Sequence, residues 1–379
     1  MMTTDNKKSL GLYIHIPFCK SKCNYCDFCS VGGADEALKV RYINSLRRQI
    51  SEWADKCRGY EVDTVYIGGG TPTFLAPETL ASLIELCADK YSLAASPEIS
   101  CECNPATTTA EGLRTLRVGG INRLSIGLQS ANNNELRALG RVHSYRDFAK
   151  TFEGARRAGF DNISADLMYG IPDQTLESFE NTLDELISLS PEHISAYCLK
   201  VEENTPFGRL GDALVLPDED TATEMYLMAT RRLASSGYEK YEISNFAKAG
   251  RESRHNMRYW LGCDYLGFGS AAHSYFGGER FSYAPNIVSY SRGVFDITDR
   301  EKIGVDEKMT EYVMLRLRLS VGISLSDFEK RFGKGLFEAY PTLGSYENSG
   351  HIVIKDGGCH FTDEGFLVSN YILSDILDF

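Results

Sequence analysis

Residues 12–26 read LYIHIPFCKSKCNYC and place three cysteines, Cys19, Cys23 and Cys26, directly after a short apolar run. The apolar run is typical of a buried strand, and the cysteines follow it with the spacing CxxxCxxC. This spacing predicts a single loop at the end of a sheet from which three thiolates converge. Thiols in a chain of this length without a secretory signal favour metal ligation over a disulfide framework.

Three thiolates on a [4Fe-4S] cluster leave one iron without a protein ligand. That open iron can chelate the amino and carboxylate groups of S-adenosylmethionine (SAM), and electron transfer then cleaves the sulfonium to a 5'-deoxyadenosyl radical. Two other interpretations stay open. A zinc site would need a second half, and Cys101 and Cys103 form only CxC on an internal strand. Cys29 could act as a fourth ligand and close the cluster.

Short β-type runs alternate with amphipathic helical stretches from residue 12 to about residue 200, which predicts βαβ units and an α/β fold with a parallel sheet. The predicted strands are 12–16, 64–67, 99–103, 123–126, 162–166 and 193–197. The predicted helices between them include 37–53, 78–87 and 176–189.

Three of the predicted strands alternate between polar and apolar side chains, unlike the continuous apolar runs of most parallel strands. Their polar face carries Glu98, Ser100, Glu102, Arg123, Ser125, Gln129, Asn162, Ser164 and Asp166. Unpaired buried carboxylates and amides would cost several kcal/mol, so this face is expected to line an enclosed, wet site for a polar ligand. The pattern predicts a barrel or partial barrel. Six strand repeats favour incomplete closure, although eight strands stay open.

A glycine run, Gly68-Gly69-Gly70-Thr71-Pro72, follows the second predicted strand. Missing side chains let backbone groups approach a ligand closely, and a SAM amino group needs acceptors such as backbone carbonyls. The alternative is a tight strand-to-helix turn with no ligand.

The carboxylates and amide of Glu102, Asp166 and Gln129 suit ribose hydroxyls and an adenine or amino group. Arg141, after a predicted helix, could pair with a carboxylate in a bidentate manner. Each residue alone is more easily explained as structural. Their joint placement on one polar face favours a ligand site for Glu102, Gln129 and Asp166.

Three regions are expected along the 379 residues: the partial barrel over 1–205, a connecting region over 206–300, and a winged-helix-like α+β domain over 301–379. The net charge of -12 opposes nucleic-acid binding. From residue 306 onward there are seven Lys and Arg against twelve Asp and Glu, which opposes a DNA-reading winged helix. Without a signal peptide or apolar span, the chain is expected to be cytoplasmic.

Six motifs together resemble the radical SAM group of oxygen-independent coproporphyrinogen III dehydrogenases and their relatives. They are YIHIPFC (13–19), YCDF (25–28), GGGTP (68–72), ECNP (102–105), SIGLQS (125–130) and DLMYGIP (166–172). The resemblance implies a partial (β/α)6 barrel with the cluster on Cys19, Cys23 and Cys26. It also implies SAM contacts by Tyr13, Tyr25, Gly69, Gly70, Thr71, Glu102, Gln129, Arg141 and Asp166.

Two departures from the dehydrogenase make the chain similar to the HemW group of haem chaperones. Phe28 stands where the dehydrogenase pattern has a fourth cysteine, and the segment before Cys19 is short. The second is HNMRYW at 255–260, which matches the HNxxYW motif of that group and is implicated in haem binding. His255 would then ligate haem iron while Tyr259 and Trp260 pack on the porphyrin. A buried core histidine with two aromatics is the alternative on spacing alone.

The resemblance leaves two functions open. One is a haem chaperone that passes haem to apo-haemoproteins, including membrane-associated ones. The other is oxidative decarboxylation of coproporphyrinogen III to protoporphyrinogen IX. The resemblance further implies an electron donor such as flavodoxin or ferredoxin, and it is compatible with a homodimer.

Overall fold

The computed structural model describes residues 7–105 and 107–377. The strands are β1 (Lys8–Ile16), β2 (Phe18–Cys19), β3 (Val31–Gly32), β4 (Tyr60–Gly69), β5 (Leu93–Cys103), β6 (Arg123–Gln129), β7 (Ile163–Tyr169), β8 (His193–Cys198), β9 (Glu239–Glu242), β10 (Asn245–Ala247), β11 (Tyr265–Phe268), β12 (His273–Phe276), β13 (Glu279–Tyr283), β14 (Ile297–Lys302), β15 (Ile323–Ser324), β16 (Ile352–Lys355) and β17 (Gly358–Phe361). The helices are α1 (Glu36–Trp53), α2 (Pro77–Lys90), α3 (Ala110–Val118), α4 (Asn133–Ala138), α5 (Tyr145–Arg157), α6 (Leu176–Leu189), α7 (Glu219–Ser235), α8 (Arg254–Leu261), α9 (Ile287–Ser291), α10 (Val305–Arg316), α11 (Leu325–Phe332), α12 (Leu336–Ala339), α13 (Ser345–Asn348), α14 (Asp363–Leu367) and α15 (Ser369–Ile376).

The large sheet has twelve strands in the order β14-β13-β12-β11-β1-β4-β5-β6-β7-β8-β10-β9. Its centre is the six parallel strands β1, β4, β5, β6, β7 and β8, so the predicted α/β repeat is confirmed. β1 pairs on its other side with β11 and β8 pairs with β10, so β1 and β8 are not joined to each other. The barrel is therefore open, as the six-strand repeat predicted.

The segment 206–300, predicted only as a connecting region, supplies strands to both edges of this sheet. β11 pairs in parallel with β1, and the antiparallel strands β12 to β14 follow it outward. The short antiparallel strands β10 and β9 extend the opposite edge. These strands join the sheet through long-range pairing, which a local periodicity does not describe.

The two faces of the sheet differ as their alternation predicted. Leu12 and Ile14 of β1, Ile67 of β4 and Leu124 and Ile126 of β6 are fully buried in one continuous apolar core. Amphipathic helices such as α1, α2 and α6 cover this face and contribute Leu, Ile and Phe side chains to it. The polar face is left for the interior of the partial barrel.

Helix α8 packs against the polar face, at the end of the strands away from the cysteines. Its first backbone N–H groups, those of Arg254 and His255, donate to the Glu98 carboxylate of β5 at 3.1 and 3.0 Å. A carboxylate at a helix N-terminus satisfies open donors and complements the helix dipole. Arg258 forms an ion pair with Asp63 and donates to the carbonyl of Asp264 at 3.0 Å. Both ends of α8 are thus held by buried polar contacts.

The C-terminal region is α+β, as the sequence predicted. α10 precedes β15, the helices α11, α12 and α13 lie between β15 and the hairpin β16–β17, and α14 and α15 follow that hairpin. The hairpin turns over residues 355–358, where Asp356 and Gly357 both have positive φ. Phe328 of α11 and Ile352 of β16 belong to the same buried core as the sheet. Across the residues described above, no helix combines the length and apolarity that a membrane crossing requires.

Candidate cluster and SAM site

A cavity of about 160 Å³ opens at the carboxyl ends of the parallel strands, where ligand sites of open α/β sheets are found. Most of the residues predicted to bind a cluster or SAM line it: Cys19, Cys23, Cys26, Tyr25, Gly69, Gly70, Thr71, Glu102, Gln129, Arg141 and Asp166. These side chains come from five strands and the loops that follow them. The polar lumen predicted from strand alternation therefore exists, and it meets the cysteine loop.

The glycine run is packed against the cysteine loop. The Gly70 N–H donates to the Ile16 carbonyl and the Thr71 N–H to the Phe18 carbonyl, each at 2.8 Å. A Cβ on Gly70 would lie only 2.9 Å from the Cys19 Sγ and from the Phe18 carbonyl oxygen. The Thr71 hydroxyl also approaches that Sγ at 3.6 Å. Glycine is required at position 70 because a side chain there would collide with Cys19 and with the Phe18 backbone. The close contact also means that the glycine run fixes the position of the first cysteine.

The cysteine geometry bears on the two alternatives left open by the sequence. Within the described residues, no three His, Cys, Asp or Glu side chains converge closely enough to hold one metal ion. A four-iron cluster binds each thiolate on a different iron, so its ligands need not meet at one point. Cys29 does not line the cavity: its Sγ lies 4.0 Å from the Ser270 hydroxyl. Three of the four cysteines of this loop therefore line the cavity.

Glu102 and Asp166 are the acidic pair of the cavity. Glu102 accepts hydrogen bonds from the Gly69 N–H at 3.0 Å and from the Tyr66 hydroxyl at 3.1 Å. Burial, with a further contribution from the Asp166 charge, raises the pKa of Glu102 to about 7. Burial also raises the pKa of Asp166, although the Ser125 hydroxyl, 2.9 Å from Oδ1, opposes the shift. Two fixed acceptors at this depth suit ligand hydroxyl or amino groups.

Gln129 is held in a strained backbone conformation, with φ of 68° at the end of β6, where the register with β7 shifts. A positive φ costs energy for a residue with a side chain and persists mainly at functional sites. The Tyr197 hydroxyl donates to the Gln129 Oε1 at 2.8 Å and so orients the amide. Strand β6 thus ends at Gln129, whose side-chain amide lines the cavity.

Arg141 crosses the cavity wall toward the cysteines. Its Nη1 lies 3.7 Å from the Cys23 Sγ, and its Nη2 donates to the Gly127 carbonyl at 3.0 Å and to the Asn104 amide oxygen at 3.2 Å. Its buried Nε has no hydrogen-bond partner among the described atoms. A buried donor without a partner is rare in folded proteins and fits a site that an anionic ligand completes.

Two of the predicted residues lie outside this cavity. Tyr13 is one layer behind it: its hydroxyl is 3.0 Å from the His15 Nδ1, and its ring stacks on Tyr66. His255 is on α8 and is buried, with 1% of its surface exposed. A direct SAM contact by Tyr13 and haem ligation by His255 stay predictions.

The surroundings of His255 occupy both of its ring nitrogens. Nδ1 lies 2.9 Å from the Thr64 hydroxyl and Nε2 lies 2.9 Å from the Tyr259 hydroxyl. The ring stacks on Tyr66, whose hydroxyl donates to Glu102. Burial lowers the pKa of His255 to about 3, so the imidazole is neutral near pH 7. His255 thus links the polar lumen to Tyr259.

Sequence reasoning did not single out Tyr197 and Asn104 as site residues, although both line the cavity. Tyr197 shares the face of β8 that also carries His193 and Ser195, so the strand alternation contained the signal. Asn104 follows β5, and its amide oxygen position depends on a loop that periodicity does not describe.

The donor set fits a cluster with bound SAM. Three soft thiolates on one loop suit iron, two carboxylates and an amide suit hydroxyl and amino groups, and the Arg141 guanidinium, with its unpaired Nε, suits an anion. The cavity combines them at one end of the sheet.

Comparison with known proteins agrees with this site. Residues 13–186 match the Radical SAM superfamily, and residues 305–368 match the HemN C-terminal domain. A [4Fe-4S] cluster and SAM are the cofactors of the Radical SAM superfamily, which confirms that part of the cofactor prediction.

Curated relatives and a solved structure cover most of the chain. The chain is 36% identical to "Heme chaperone HemW" of Bacillus subtilis over 96% of this chain and 98% of that protein. It is 38% identical to the Escherichia coli protein of the same name over 70% of this chain and 69% of that one. The solved structure of coproporphyrinogen III oxidase (HemN) from Escherichia coli, a radical SAM enzyme, superposes with a TM-score of 0.84 at 25% identity, covering 97% of this chain and 89% of that one. The chain therefore belongs to the HemW family of radical SAM proteins.

Proposed function

We propose that this chain is a haem chaperone that binds haem and passes it to apo-haemoproteins. The observation that carries the proposal is the 36% identity to a curated haem chaperone over 96% of the chain. Cys19, Cys23 and Cys26 are the proposed cluster ligands. The cluster would supply an electron and an open iron for SAM when both are bound.

The protein residues of the site have separate proposed roles. Arg141 would pair with the SAM carboxylate, while Glu102 and Asp166 would accept hydrogen bonds from ligand hydroxyl or amino groups. Gln129, oriented by Tyr197, would hold the ligand in register with the strand ends. The glycine run would leave backbone groups accessible at the cavity wall. These roles follow from donor type and placement.

The proposed partners are haem and recipient apo-haemoproteins, membrane-associated ones included, and an electron donor such as flavodoxin or ferredoxin. A homodimer and a cytoplasmic location complete the proposal. The net charge of -12 gives no support to a nucleic-acid partner.

The proposal is tested by titrating haem into the anaerobically reconstituted protein, with and without SAM, beside an assay with coproporphyrinogen III. We expect a stable haem complex with a Soret band that survives gel filtration, and no protoporphyrinogen product. Product formation without a stable haem complex would contradict the proposal and support the decarboxylase. The decarboxylase is the second candidate because the HemN fold superposes with a TM-score of 0.84.

His255 is the proposed iron ligand, and its contacts set a condition for that role. Its Nε2 is hydrogen-bonded to the Tyr259 hydroxyl, so iron can reach this nitrogen only after Tyr259 releases it. We expect Tyr259→Phe to bind haem several-fold more tightly, because one competing hydrogen bond of about 1 kcal/mol is removed.

The matched variant is His255→Ala, which should lose the haem absorption spectrum of the wild type. An unchanged Soret band in His255→Ala would show that another group ligates the iron. Thermal unfolding of both variants separates ligand loss from loss of the fold.

A further inference from the structure

The cavity beside α8 is lined from two directions. Tyr259 and Trp260 of α8 form one wall, and Tyr312 of α10 and Phe332 of α11 belong to the C-terminal region on the other side. Its volume is about 460 Å³, within the range of roughly 300–1,000 Å³ found for small-molecule sites. It is separate from the cysteine cavity and shares no lining residue with it.

The apolar part of this cavity is aromatic. Tyr265 and Tyr275 of β11 and β12 complete a wall of flat rings, and Tyr259 packs edge-on against Tyr265 with ring centroids 4.7 Å apart. Rings of this kind bury large areas of flat ligands and stack on them with little loss of side-chain entropy. The wall therefore suits a flat, extended, apolar ligand.

The charged part of the cavity is basic, in contrast to the acidic chain as a whole. Arg280, Lys308, Arg316 and Arg331 line it against one carboxylate, Glu311. Glu311 pairs with Arg280 at 2.7 Å. Within 7–105 and 107–377, the other three cations have no carboxylate partner within ion-pair distance, whereas Arg280 pairs with Glu301 and Glu311. Three cations thus remain for a ligand.

Two of these cations are held in place by an aromatic ring. The guanidinium groups of Arg316 and Arg331 lie 5.2 and 5.1 Å from the Tyr312 ring centroid. The buried Nε of Arg316 has no hydrogen-bond partner in the part of the chain that the structure describes. Guanidinium groups that are positioned in this way recognise carboxylates with two hydrogen bonds each.

We propose that this cavity binds the haem macrocycle, with Trp260 and the tyrosines on its faces and Lys308, Arg316 and Arg331 pairing with its two propionates. The inference rests on the proposed haem-binding function and adds the C-terminal region to the haem site. A flat apolar ring that carries carboxylates matches the aromatic wall and the excess of cations together. The Tyr259 ring lines this cavity while its hydroxyl meets His255, so the cavity leads to the proposed iron ligand.

The test compares haem with iron-free protoporphyrin IX, which has the same ring and propionates but cannot be ligated through iron. Binding is followed by quenching of Trp260 fluorescence in a Trp53→Phe background, because the chain has two tryptophans. The pocket variant is Lys308→Gln/Arg331→Gln, at two exposed positions. The control is Arg41→Gln/Arg157→Gln, at two exposed positions on α1 and α5. A second pocket variant, Arg316→Gln, removes the cation with the unpaired Nε.

We expect both pocket variants to weaken haem and protoporphyrin IX by roughly tenfold, as loss of charge-assisted hydrogen bonds does, and the control to bind like the wild type. If the wild type binds haem and the pocket variants bind haem and protoporphyrin IX as tightly as the wild type does, the cavity assignment is overturned while the chaperone proposal stands. A loss confined to haem would also overturn it, because propionate contacts do not depend on iron. If the wild type binds neither ligand, the proposed function itself fails.

Discussion

Replacing Cys19, Cys23 or Cys26 with alanine is expected to abolish the iron–sulfur cluster. Each side chain lines the same cavity, and two thiolates would leave two irons of the cluster without protein ligands. After anaerobic reconstitution, iron and sulfide should fall from about four per chain to near zero, with loss of the visible charge-transfer absorption. Thermal unfolding of the metal-free proteins should change little, because alanine fills most of the volume of cysteine.

The matched control is Cys29→Ala in the same loop. Its Sγ lies beside Ser270 and outside the cavity, so the variant should keep its full iron content and its SAM binding. Loss of iron in Cys29→Ala would show that the cluster has four protein ligands and no open iron.

Replacing Arg258 with alanine is expected to cause a large loss of stability. The Arg258 guanidinium is buried, pairs with Asp63, and donates to the Asp264 carbonyl. Alanine would leave the partly buried Asp63 carboxylate without its ion-pair partner and would open a cavity beside Gly11, where a Cβ would lie only 2.6 Å from the Arg258 side chain. We expect the free energy of unfolding to fall by about 3 kcal/mol, measured by chemical denaturation.

Arg254→Ala on the same helix is the control, because Arg254 is exposed and its guanidinium donates to a surface carbonyl, that of Ser96. It should cost less than about 1 kcal/mol. Arg258→Ala should also lose haem binding, since α8 carries Tyr259 and Trp260. Equal denaturation midpoints for the two variants would show that the buried pair does not hold α8.

Periodicity in the sequence was sufficient to predict the central sheet and three polar residues that line the cysteine cavity, Glu102, Gln129 and Asp166. The predicted helix over residues 176–189 has the observed bounds, and the polar residues on alternate positions of β5, β6 and β7 face one lumen. A local pattern fixes these features, because residues two apart on a strand must share a face. Loop chemistry after each strand then places the ligand groups at one end of the sheet.

The haem cavity could not be predicted in the same way. Tyr259, Arg280, Arg316 and Arg331 lie far apart in the sequence and meet only because β11 pairs with β1 and α10 packs against α8. The spacing of the cysteines in the sequence also does not predict where the Cys29 side chain lies, because its position depends on the contact with Ser270. In both cases long-range packing decides which neighbours a side chain has.

Strand β5 carries a carboxylate at each end of the barrel interior. Glu102 receives the Gly69 N–H at the cluster end, and Glu98, four residues earlier on the same face, caps α8 at the other end. Because both carboxylates are carried by one strand, a displacement of β5 along its axis would move both of them. By thermodynamic reciprocity, if a ligand of the cysteine cavity changes the affinity for haem through β5, haem must change the affinity for that ligand by the same factor.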